Sequence, residues 1–296
     1  MEPTQHQVRA NDIDFTYLEM GDGPLALLLH GFPDSPVTWR HLMPALADAG
    51  YRAVAPWMRG YAPTSTSPQG HYQQGALAAD ALALHDALDG DGDAVLIGHD
   101  WGATAVYPAV NKHPERWSAM VTAAVPHPAV AAGMLFDYAQ IKRSFYMFVF
   151  QHPLAEAIVG MNDMAFIDGL WADWSPGLGG DEAERALAEV KAALADPEHL
   201  AAAIGYYRAT LGGVNLDAEF SAIESAGAAP VEIPALYLHG ADDGCLSVDY
   251  AAPTAVHLTH PASRVEIVDG AGHFLTLDAP ETGNALIVDF LAEVTG

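Results

Sequence analysis

Cysteine is nearly missing from this chain: Cys245 stands alone, which excludes an internal disulfide and any zinc site built on cysteines. Cations are scarce as well. Lys and Arg total 12 against 38 Asp and Glu, and a formal charge of −26 makes the surface repel phosphate backbones and anionic lipid headgroups. Nucleic acid and membrane surfaces are therefore not expected as partners. Long apolar runs are also lacking, since a stretch such as Ala129 to Phe136 falls far short of the ~18 residues a membrane span needs. The opening Met1 to His6 carries neither a basic nor an apolar leader segment, so a soluble, cytoplasmic protein is expected. No Gly-x-Ser-x-Gly, P-loop, Gly-x-Gly-x-x-Gly after a strand, or His-Glu-x-x-His occurs, which argues against a serine esterase, a nucleotide cofactor and a bound metal.

What the chain does have is a globular balance, with 51% hydrophobic residues, 27 Gly and 20 Pro across 296 positions. Ile13 to Tyr17 alternates like a half-buried strand, and Leu25 to Leu29 runs apolar without a break. They flank the turn Gly21-Asp22-Gly23-Pro24 and read as an antiparallel start leading into a buried strand. A helical stretch carries Trp39, Leu42 and Leu46 on one face, and Tyr51 to Ala55 is strand-like again. Ala76 to Leu88 is helical, Ala94 to Gly98 is a buried strand, and Met120 to Val125 is another. Such alternation implies a parallel sheet with right-handed crossovers. After Pro126-His127-Pro128 the strands stop and helical stretches take over, among them Asp181 to Ala195 and one opened by Asp196-Pro197. Strands return at Ile233 to His239 and Arg264 to Val268, before a last helix from Glu281 to Val294. The expected organisation is an α/β core of residues 1–127 and 227–296, interrupted by a helical cap of residues 128–226.

Gly98-His99-Asp100-Trp101-Gly102 falls where the buried strand ends and a helix begins, the setting of a nucleophile elbow. Capping of that helix is the alternative role for Asp100. An aspartate at an elbow suits attack on a saturated carbon. A serine alkylated there would end as a stable ether, whereas a carboxylate forms an ester that water can cleave at its carbonyl. A base is then needed for the second step. His273, in Gly272-His273-Phe274 after the last strand, is placed for it. Asp243 or its neighbour Asp242, following the strand to His239, supplies the orienting acid, which gives the chain order nucleophile, acid, base of α/β-hydrolases. Backbone N–H groups of Phe32, in His30-Gly31-Phe32-Pro33, and of Trp101 are the candidate oxyanion donors.

These pieces, together with Trp39 and Arg59-Gly60-Tyr61, resemble the α/β-hydrolase-fold epoxide hydrolases over essentially the whole chain. The resemblance implies a mostly parallel eight-stranded sheet flanked by helices, with an inserted helical cap. It implies a cofactor-free enzyme of the detoxification type, turning a small apolar epoxide and water into a diol. It also implies two cap tyrosines that hold the epoxide oxygen. Ser144 to Pro153 looks like the segment with the first, Tyr146, and Gly205-Tyr206-Tyr207-Arg208 like that with the second, Tyr207. Leu200, Ala203, Ile204, Tyr207 and Leu211 recur at helical spacing, which puts Tyr207 on the apolar face and Tyr206 on another. Phe32, Trp101, Phe145, Phe148 and Phe274 are the expected pocket walls. Haloalkane dehalogenases share most of these motifs, but Phe32 occupies the place of their common halide-binding Asn. A non-catalytic binding module on the same fold is the remaining alternative.

Overall fold

In the computed structural model, which describes residues 2–295, a single eight-stranded sheet is built from β1 (Thr4–Ala10), β2 (Ile13–Met20), β3 (Leu25–Leu29), β4 (Arg52–Pro56), β5 (Val95–His99), β6 (Ala119–Ala123), β7 (Ala235–Gly240) and β8 (Arg264–Val268). The spatial order is β1-β2-β4-β3-β5-β6-β7-β8. Pairing is antiparallel from β1 to β2 and from β2 to β4, and parallel everywhere else. This is an α/β-hydrolase fold.

The central strands are apolar along their whole length because both faces of the sheet are covered. Leu27, Leu29 and Leu96 join one cluster with α2 (Gln74–Ala87) and α3 (Trp101–Lys112). Ala26, Leu28, Val95 and Ile97 join another with α1 (Leu42–Asp48) and the C-terminal helix Pro280–Thr295. The chain leaves β3 for β4 on one side and returns to β5 on the other, so the strand order reverses between β3 and β5. In open α/β sheets, ligand crevices form beyond the carboxyl ends of the strands at such a reversal. Leu29 pairs with Gly98 there, which brings His30-Gly31-Phe32 alongside Asp100.

Two expectations at the N-terminal edge are corrected. The opening hairpin joins β1 to β2 through Asn11 and Asp12, both with left-handed φ (47° and 59°), and β2 lies beside β4 rather than β3. β1 gave no signal because it is an edge strand of mostly exposed polar residues, with no buried face to impose alternation. The stretch from Trp39 to Gly50 is also two elements, a short 3₁₀ turn at Pro36–Trp39 and then α1.

Between β6 and β7 the described residues form helices and no strand. They include Tyr138–Arg143, Phe145–Val149, Ala155–Trp174, Gly180–Leu194, Pro197–Gly212 and Ala218–Glu224. Asp196 caps Pro197–Gly212 as expected, accepting from the Glu198 N–H at 2.8 Å with Pro197 in the first turn. Ala155–Trp174 is broken at Met161–Met164, where Asn162, Asp163 and Met164 take left-handed φ. Ala218–Glu224 packs beside α2 and α3, on the flank of the sheet layer. Among the described residues, no helix is long and apolar enough to cross a membrane.

Candidate active site

Asp100 sits between the last residue of β5 and the first of α3 with φ 51° and ψ −118°, a conformation that costs a non-glycine residue on the order of 1–3 kcal/mol. Such strain aims the side chain out of the strand–helix corner. The neighbouring glycines make the corner possible: a Cβ on Gly31 would run into the Asp100 side chain, and one on Gly102 into the Leu29 carbonyl. Asp100 heads the helix in sequence, yet its carboxylate makes no cap bond to α3. It reaches across to the neighbouring strand end instead, where Oδ1 accepts the Phe32 N–H at 2.7 Å. The Trp101 N–H forms no such bond to the carboxylate.

Oδ2 of Asp100 faces His273 Nε2 at 3.6 Å, and His273 Nδ1 donates to Asp243 Oδ2 at 3.0 Å. Asp243 is fixed in turn, because its Oδ1 accepts the backbone N–H groups of Cys245 and Leu246 at 2.7 and 2.9 Å. Asp242 is exposed, so Asp243 is the carboxylate that meets the imidazole. Burial penalises the charged form of His273, but Asp243 and Asp100 on its two sides outweigh that and raise its pKa to about 10. Burial pushes Asp243 up, and the opposing charge of His273 wins, holding it below the ordinary carboxylate value. Among the described residues, Nε2 of His273 has no hydrogen-bond partner.

A cavity of about 360 Å³ opens in front of Asp100, and both expected tyrosines line it. Tyr146 and Tyr207 stand edge to face with ring centroids 5.6 Å apart, and Tyr207 packs on Trp101 at 4.9 Å. Burial, reinforced by nearby negative charge from Asp100, raises both phenols well above their usual pKa, so each is a neutral O–H donor near pH 7. Tyr206, one residue earlier, is equally buried but spends its hydroxyl on the Arg59 carbonyl at 2.8 Å. The Tyr207 hydroxyl has no hydrogen-bond partner among the described residues.

The expected aromatic walls fare differently. Only Trp101 lines the cavity; Phe145 and Phe148 are 43% and 48% exposed, on the outward side of the short helix that turns Tyr146 inward. Phe32 is buried against Tyr207 and Phe150, and Phe274 is stacked on Trp171 with centroids 3.9 Å apart. Aliphatic and thioether side chains make the apolar wall instead, including Val125, Met134, Leu135, Met147 and Leu246. Sequence reasoning also missed the turn at Trp174-Ser175. The Trp174 carbonyl accepts the N–H groups of Gly244 and His273, each at 3.0 Å, and Ser175 Oγ accepts that of Phe274 at 3.0 Å, so one turn steadies both the acid and the base loops. No motif marks such a contact; a Trp-Ser pair inside a helical region reads as core. Among the described residues, no group of His, Cys, Asp or Glu side chains is arranged to hold a metal.

The alpha/beta hydrolase fold family matches residues 24–280 of the chain. Epoxide hydrolase A of Mycobacterium tuberculosis is 30% identical over 98% of this chain and 97% of its own length. Epoxide hydrolase 3 of Xenopus tropicalis is 30% identical over 97% of this chain and 77% of its own. Among solved structures, an epoxide hydrolase from Vigna radiata superposes with a TM-score of 0.80 at 27% identity, covering 99% of this chain and 98% of that one. From the matched fold and from relatives aligned over nearly its full length, the chain belongs to the α/β-hydrolase-fold epoxide hydrolase family.

Proposed function

We propose that this protein is an epoxide hydrolase that works through a covalent ester on Asp100. The observation that carries this reading is the pairing, across one cavity, of a strained carboxylate with two neutral phenols, one of them unpartnered. The relatives at 30% identity support the same activity.

In the first step an Asp100 oxygen attacks an oxirane carbon, and the C–O bond breaks as its electron pair moves onto the ring oxygen. Tyr146 and Tyr207 hydrogen-bond that oxygen, which takes a proton from one of them. Donors placed where charge develops act most strongly in a water-poor site. The product is a hydroxyalkyl ester. Esterification removes the Asp100 charge, and with it part of what holds His273 protonated. The imidazole loses its proton, replacing the one the tyrosine gave, and becomes a base. His273, oriented by Asp243, then takes a proton from water while the oxygen of that water adds to the ester carbonyl. The Phe32 N–H already points at Asp100 Oδ1 and is placed to receive the oxyanion; the Trp101 N–H is the candidate second donor. Collapse expels the diol oxygen, which takes a proton from His273; the Asp100 carboxylic acid left behind then gives its proton to His273, restoring the starting carboxylate and imidazolium. The sum is epoxide plus water to vicinal diol, with no cofactor.

Residues 128–226 act as the cap in this scheme: they deliver both phenols and much of the apolar wall. A small, apolar epoxide fits that wall. Departure of a halide would call for two N–H donors around the leaving group; Trp101 lines the cavity and could supply one, but Phe32 stands where the second is common and the cavity offers phenols, so dehalogenation is the weaker reading.

Intact-protein mass spectrometry of His273→Gln, incubated separately with styrene oxide and 1-bromobutane, tests the proposal. A stable adduct of the full epoxide mass on Asp100 is expected. A butyl adduct without an epoxide adduct would move the assignment to dehalogenation, and a styrene oxide adduct on any other residue would overturn the covalent route through Asp100.

A further inference from the structure

The two cap phenols are not held alike. Among the described residues the Tyr207 hydroxyl has no hydrogen-bond partner, whereas the Tyr146 hydroxyl lies 3.4 Å from Cys245 Sγ, its one partner there. Cys245 is 1% exposed, lines the reactive cavity, and follows the triad acid by two positions. Each of its polar groups is engaged with a different part of the site. Its N–H donates to Asp243 Oδ1 at 2.7 Å, its carbonyl accepts Gln140 Nε2 at 2.8 Å, and its thiol meets Tyr146.

Gln140 completes the link. It is also 1% exposed, and its amide donates to Ser144 Oγ at 2.9 Å, at the head of the helix that carries Tyr146, while its Oε1 accepts the Ser247 N–H at 3.1 Å. One side chain thus ties the tyrosine helix of the insertion to the acid loop of the core, and no spacing rule relates residues 140 and 245.

We propose that Cys245 and Gln140 are positioning residues that register Tyr146 against the acid loop, with the Cys245 thiol as a replaceable partner that yields the phenol to the epoxide oxygen. A thiol suits this because it is a weak hydrogen-bond partner: it orients the hydroxyl without competing strongly against an oxygen gaining negative charge. The inference rests on the epoxide-opening reading and assigns roles beyond the triad and the two tyrosines. It also separates the two residues. Cys245 acts on Tyr146 through its side chain and on Asp243 through its backbone, so trimming the side chain touches ring opening alone. Gln140 holds the loop itself and touches both steps.

Single-turnover kinetics with styrene oxide, resolving ester formation from ester decay, tests this in a double-mutant cycle. Cys245→Ala is expected to slow formation by about threefold to tenfold, the scale of one modest hydrogen bond, with decay unchanged. In a Tyr146→Phe background the same substitution should have no effect on formation. Gln140→Ala should slow both steps, and its melting temperature, read alongside, reports whether the fold is kept. A loss that persists in the Tyr146→Phe background, or falls equally on both steps in Cys245→Ala, overturns the assignment. If the unsubstituted enzyme forms no ester, the epoxide hydrolase reading itself fails, which is a separate outcome.

Discussion

The core loops and the helical insertion bring differently committed groups to the same cavity. On the core side the carboxylates are engaged before any substrate arrives: Asp100 with the Phe32 N–H, Asp243 with two backbone N–H groups and His273. Among the described residues, one phenol hydroxyl on the insertion side has no partner and the other has only a thiol, while on the core side it is the imidazole Nε2 of His273 that is left without one. Buried polar groups are normally satisfied, so a buried hydroxyl with no partner that lines a cavity is free to hydrogen-bond what enters it. The difference teaches where to look for each half of the reaction. In the proposed scheme the core handles the ester, and the insertion receives the oxygen that comes with the substrate.

The largest test of that division is Asp100→Ala, which leaves both phenols and the proposed base in place but removes the proposed nucleophile. Turnover should fall by at least about 10⁴-fold, measured as diol formation. His273→Gln comes next. Steady-state turnover should drop by about 10²–10⁴-fold while the first ring opening survives, seen as a burst of ester followed by slow decay. Equal loss of both steps would place the base on the insertion's side of the comparison.

Tyr206 and Tyr207 sharpen it further, since they are adjacent, equally buried and differently committed. Tyr207→Phe should slow ring opening by about 10-fold or more with little change in melting temperature. Tyr206→Phe should instead cost about 1 kcal/mol of stability, from the orphaned Arg59 carbonyl, and leave ester formation close to normal. The last test is on pH stability. His273 has a pKa raised from 6.5 to about 10 in the folded protein, so the stability it contributes is complete below pH 6.5 and is lost as pH rises through about 10. Melting temperatures between those limits should fall with rising pH, and the slope should be shallower in His273→Gln.

Legibility follows the same boundary. The central strands were readable because two-sided burial writes a continuous apolar run, and Asp100 and His273 because a tight corner and a loop projection need glycines at fixed places. Helical period put Tyr206 and Tyr207 on different faces beside the family motif; both are buried, Tyr206 bonding the Arg59 carbonyl and Tyr207 lining the cavity. β1 could not be read, as an exposed edge strand imposes no pattern. Nor could the walls: five residues of helix around Tyr146 carry three aromatics, and nothing in their order says which faces in. Gln140, Cys245 and the Trp174-Ser175 turn act through contacts between distant segments, for which a single sequence holds no spacing signal.

The most direct measurement of the central claim is single-turnover kinetics of Tyr207→Phe against the unsubstituted enzyme, following ester formation and ester decay separately. Slower formation with unchanged decay is the predicted result, because the phenol belongs to ring opening and the core hydrolyses the ester without it. Unchanged formation with slower decay would contradict the division of labour between insertion and core.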